Sequence, residues 1–168
     1  NYRPLRTIKV KMDYSHRSEM LLTVGVATDP NATHPEKTID LHHFRWAGDG
    51  HNGDLNPAPA VPMLGRWADG KLHEEPMEFG YDLTDLCEGL DHSKPLKFFF
   101  NVDARTKSKV ASRAKGSGHI YNVSIIDYEF DKEGVETPLE LKAENGVLDV
   151  PGGKITTVSG VVYGEQYT

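Results

Sequence analysis

The residues best suited to chemistry gather in one stretch of the 168-residue chain, Phe44-Arg-Trp46-Ala-Gly-Asp49-Gly-His51-Asn52-Gly-Asp54-Leu-Asn56-Pro57, with Trp67 and Asp69 following. Asp49, Asn52, Asp54 and Asn56 carry hard oxygen donors on a glycine-rich backbone, the ligand type that Ca2+ takes. The twelve-residue EF-hand frame is absent, because no Glu closes it. The same residue types are also the best turn formers. The cofactor expectation is therefore none, or calcium held by Asp49, Asp54 and Asn56. Trp46 and Trp67 are the two tryptophans of the chain. They can stack on a pyranose while Asp49, His51, Asn52 and Asp54 hydrogen bond its hydroxyls. The competing reading is that both indoles pin the stretch onto a core.

Other clusters carry weaker chemistry. His42 and His43 are adjacent, with His51 nearby and His73 followed by Glu74 and Glu75. Adjacent histidines in a strand point to opposite faces, so these two do not share an ion; neither is H-E-x-x-H present. Ala104 to Lys115 holds Arg105, Lys107, Lys109, Arg113 and Lys115 without an acid. No aromatic is interleaved for base stacking, and the segment reads as a solvated hairpin loop. Acids are plentiful, among them Asp49, Asp69, Glu78, Asp82 and Asp85, but no spacing singles out a catalytic pair. No G-x-S-x-G, Walker or dinucleotide motif occurs, and Cys87 lacks a hydrolase signature. The catalytic residues are unknown at this stage.

The elements that must position these residues are strands. Thr7 to Met12 alternates, with Ile8, Val10 and Met12 on one face. Met20 to Ala27 and Leu96 to Val102 are near-continuous apolar runs, so they read as buried strands. Lys37 to His42, Met77 to Leu83, Gly118 to Phe130 and Lys154 to Tyr163 follow the same logic. The phase slips between Ile120 and Val123, which predicts a bulge. Glu144-Asn-Gly146 predicts a hairpin between Leu139–Leu141 and Val147–Val150. The one helical candidate, Leu83 to Leu90, amounts to a turn or two. The expected fold is all-β, an antiparallel jelly-roll-like β-sandwich of about eight or nine strands with at most one short helix. The connection from His43 to Pro76 is long, and loops of that kind are usually functional.

The length suits a single domain over residues 1–168, with 133–168 as a possible extra hairpin or appendage. A net charge of −6 disfavours nucleic acid as a partner. No stretch approaches the ~20 apolar residues of a membrane span. One cysteine forms no internal disulfide and leaves the compartment open. With Asn1 first, the sequence reads as a mature or excised piece.

The order of elements, with Glu78-Phe-Gly-Tyr-Asp-Leu-Thr-Asp-Leu86 between strands and Gly118-His-Ile-Tyr-Asn-Val-Ser-Ile-Ile-Asp-Tyr128 near the end, resembles the jelly-roll modules of the bacterial peptide-N-glycosidase F type. The resemblance rests on the strand pattern of residues 7–130 and on Asp82-Leu-Thr-Asp85. It implies a jelly roll in a secreted bacterial setting acting on glycoproteins. That family uses two jelly rolls and a cysteine-flanked Asp-Arg segment; neither is matched here, so no catalytic residue carries over.

The expected role is a non-catalytic accessory or binding module of a secreted, periplasmic or cell-surface bacterial protein, with carbohydrate or glycoprotein and the other domains of a larger protein as partners. The alternatives are the jelly-roll half of a glycan-processing amidase or glycosidase, with acids such as Asp49 and Glu78, and a docking domain of a larger secreted hydrolase.

Overall fold

A computed structural model describes residues 5–14, 20–44, 55–57, 63–65, 76–91, 93–105, 117–128 and 133–163. The strands are β1 (Arg6–Tyr14), β2 (Met20–Ala27), β3 (Lys37–Phe44), β4 (Leu55–Pro57), β5 (Met63–Gly65), β6 (Met77–Asp82), β7 (Leu96–Asp103), β8 (Gly118–Asp127), β9 (Val135–Pro138), β10 (Leu148–Val150) and β11 (Ile155–Val162). Two antiparallel sheets pack together as a β-sandwich, as the alternation predicts. Sheet A runs β10-β8-β1-β6-β5, with β9 also on β8; sheet B runs β11-β7-β2-β3-β4.

The rolled character lies in the nesting. β1 pairs β8 in sheet A, and β2 pairs β7 in sheet B. The chain thus passes from sheet A to sheet B between β1 and β2, and back to sheet A between β7 and β8. The long connection adds two short strands: β4 extends β3 in sheet B and β5 extends β6 in sheet A.

Period-2 patterning builds the core. Ile8, Val10 and Met12 of β1 meet Val123 and Ile125 of β8, all buried. Met20, Leu22, Val24 and Val26 face them from β2, with Phe98, Phe100 and Val102 from β7. Each such side chain contributes about 1.5–3 kcal/mol on burial. The expected bulge is present: Lys11 pairs Asn122 while Met12 pairs Ile120, leaving Tyr121 over. A second register shift opposite Leu22/Thr23 leaves Leu41 over in β3, and Leu41 and His42 are both buried. A bulge lets consecutive residues turn inward, which strict alternation forbids.

Two local expectations differ from the structure. Leu83 to Leu90 forms successive turns rather than a helix, with Cys87 N–H donating to Leu83 O at 3.0 Å. The hairpin predicted around Glu144–Gly146 does not form. Asn145 (φ 57°) and Gly146 (φ 71°) adopt the left-handed turn that Asn-Gly favours. Yet β10 pairs β8 in sheet A, whereas Glu140 makes a single bridge to Ser159 of β11 in sheet B. The segment crosses the side of the sandwich instead of folding back on itself.

Residues 135–162 are hydrogen bonded into both sheets, and Leu139, Val150, Val158 and Val162 belong to the core. At Gly25 an added Cβ would lie 2.4 Å from Pro35 Cβ, so only glycine lets the Asp29–Glu36 loop lie on β2.

Candidate binding surface

Of the residues singled out in the sequence, Trp46, Asp49, His51, Asn52, Asp54 and Trp67 lie outside the described residues. Asn56 is placed only as backbone, opposite His43 in the β3–β4 pair. His42 faces the core, its ring 6.2 Å from that of Tyr81. Among the described residues no group of three His, Cys, Asp or Glu is placed to hold a metal ion. Asp82, from the segment that carries the family resemblance, does turn chemistry. Its Oδ1 accepts from Thr84 N–H at 2.8 Å and from Thr84 Oγ1 at 2.6 Å. Asp29, Asp91 and Asp103 close similar turns onto residues two further on.

The two outer faces of the sandwich differ in kind. On sheet A the charged groups are tied to one another. Lys9 Nζ lies 2.8 Å from Glu136 Oε1, which also accepts from Ser124 Oγ at 2.6 Å. The hydrogen bond from Lys9 holds the Glu136 carboxyl below its ordinary range, and Glu136 in turn raises Lys9. At the other end of the face, Asp13 accepts from His119 N–H (2.9 Å) and from Tyr121 OH (2.6 Å), and lies 3.0 Å from His119 Nδ1. The bond to Asp13 raises the Tyr121 hydroxyl. His119 Nε2 lies 3.6 Å from Asp149. This network joins β1, β8 and β10. A shallow groove of about 200 Å³ runs beside Gly80, with Lys9, Glu78 and Tyr128 on its walls.

Sheet B sets hydroxyls, one amide and the Asp40 carboxylate in register. The registers of β3, β2, β7 and β11 align Asp40, Thr23, Asn101 and Thr157 in one rung. The next rung is Thr38, Gly25, Phe99 and Ser159. Asn101 Oδ1 is buried and has no hydrogen-bond partner among the described residues. Phe99 faces outward yet is only 6% exposed, with Lys97 Nζ 5.3 Å from its ring centre. The rungs run into a groove of about 530 Å³ along β11, walled by Lys97, Glu140, Lys142, Thr157, Ser159 and Val161, among others. That volume falls in the range of small-molecule sites. Tyr163, 73% exposed, follows β11.

Sequence reasoning missed this surface. Its members come from strands far apart in the chain and become neighbours only through register. The one local signal is the Thr157/Ser159 alternation in β11, which marks a polar outer face and nothing more.

The fold and this surface define an antiparallel β-sandwich with a hydroxyl-lined lateral groove. No protein-family model, curated protein or solved structure matches the chain.

Proposed function

We propose that the chain is a non-catalytic glycan-binding module, an accessory part of a secreted bacterial protein, and that the outer face of sheet B with its β11 groove makes the contact. The observation that carries this reading is the alignment of Thr23, Asn101 and Thr157 across three hydrogen-bonded strands, next to a groove of about 530 Å³. Hydroxyl and amide groups on rigid strands suit sugar hydroxyls, which need directional hydrogen bonds.

The test is a glycan-array screen of wild type, Thr157→Val, Ser159→Val, Trp46→Ala and Trp67→Ala. Loss of one or two hydrogen bonds of about 1 kcal/mol each predicts five- to thirtyfold weaker binding for the β11 variants. Their melting temperatures should stay within a few degrees of wild type. Loss confined to the tryptophan variants would move the site to the His43–Pro76 connection. Absence of binding to any glycan would overturn the reading in favour of a docking domain.

A further inference from the structure

The β11 groove is not neutral. Lys97 enters it from β7 and Lys142 from the segment before β10. Neither has a carboxylate within ion-pair distance among the described residues, although both belong to a chain of net charge −6. Lys9 of sheet A, by contrast, is matched to Glu136, and Arg105 to Asp103. Lys97 is also held in place, since its ammonium lies over the Phe99 ring. Its charge therefore sits beside the Phe99 ring at the groove wall. Among the described residues Glu140 is the one acid on the wall, against two lysines and the hydroxyls of Thr157 and Ser159.

We propose that this groove selects acidic saccharides, with sugar carboxylates facing Lys97 and Lys142 and the ring hydroxyls bonded to Thr157, Ser159 and Glu140. The proposal rests on the glycan-binding reading above and names the ligand class for that same site. A carboxylate beside an ammonium group gains a charge-assisted hydrogen bond that a neutral sugar does not. Glu140 opposes the acid, so it tunes the selection in the direction opposite to the lysines. Because the groove opens to solvent, the charge-dependent part of binding is screened by salt.

The experiment is isothermal titration of a galacturonate oligomer and of the matching neutral galactose oligomer. The proteins are wild type, Lys97→Gln, Lys142→Gln and Glu140→Gln. The expected result is at least tenfold tighter binding of the acidic oligomer by wild type. Each lysine variant weakens it about tenfold, Glu140→Gln tightens it severalfold, and binding of the neutral oligomer changes little. Opposite signs from substitutions on one wall are not produced by loss of folding; melting temperatures provide the check on each variant. Equal affinity for both oligomers overturns the charge selection and leaves the glycan reading standing. Binding of the acid that ignores all three substitutions places it elsewhere and overturns the site. Failure of both oligomers to bind, at low and high salt, overturns the proposal, and an array negative for every glycan overturns the reading beneath it.

Discussion

Burying Arg6 next to Asp127 commits the end of the sandwich to a charge pair that neither partner can leave. The two side chains are 1% and 7% exposed and joined through Arg6 Nε, and the guanidinium lies 5.3 Å from the Phe98 ring centre. Burial alone would lower the Arg6 pKa, but Asp127 more than offsets it and the net shift is upward. Arg6 Nη1 reaches Cys87 Sγ at 3.8 Å, and burial pushes that thiol up despite the nearby cation. Cutting such a pair on one side leaves an uncompensated buried charge, at a cost of about 3–5 kcal/mol. Asp127→Asn is expected to lose that much in denaturant titration, and its Cys87 should react faster with an alkylating reagent than the inert wild-type thiol. Stability within 1 kcal/mol of wild type would show that the pair is not what holds this end closed. None of this was legible in the sequence, because the partners stand 121 positions apart and an isolated Arg or Asp reads as surface.

At the scale of elements, β9 hangs on β8 beside the Lys9–Glu136–Ser124 tie. Glu136 has a lowered folded pKa, so its contribution is complete above the ordinary carboxylate range and is lost as pH falls through the lowered value. Lys9 has a raised pKa, so its share is complete at and below the ordinary lysine range and is lost as pH rises through the raised value. Both groups are partly exposed, which limits the pair to about 1 kcal/mol or less. Glu136→Gln should therefore melt up to a few degrees below wild type at pH 7. The difference should vanish in acid; a difference that persists at pH 2–3 would assign it to packing instead. The strands themselves were legible: β2, β6 and β7 announce themselves through alternation or apolar runs, and the β8 bulge through its phase slip. The 139–150 region was not, because Asn145-Gly146 encodes the hand of a turn and not the strand that its flanks will join. The candidate surface was hidden for a related reason. Thr23, Asn101 and Thr157 become one rung only when β2, β7 and β11 take their registers.

For the whole molecule, the last strands complete both sheets: β9 and β10 pair β8, and β11 pairs β7. Leu139, Val150, Val158 and Val162 fill the core between the sheets. Four buried apolar side chains contribute about 6–12 kcal/mol, comparable with the ~5–15 kcal/mol total stability of a domain. A chain ending at Glu133 is therefore expected to lose cooperative thermal unfolding, followed by circular dichroism, and to expose the open edges of β7 and β8 to aggregation. A truncated chain that still melts sharply would make residues 135–163 an appendage after all.

The placement of β1 has a consequence for synthesis. It lies between β6 and β8, and its register runs from Met12 opposite Met77 to Arg6 opposite Asp127. β1 thus waits for β6 and β8, which are translated well after it, and its row of Ile8, Val10 and Met12 has no sheet A partner in the interval. On a ribosome adding roughly 5–20 residues per second, that interval lasts several seconds, far longer than the ~1–10 μs of hairpin formation. The nascent chain spends it with an apolar strand unsatisfied, and a chaperone that holds extended apolar segments would find its target in β1.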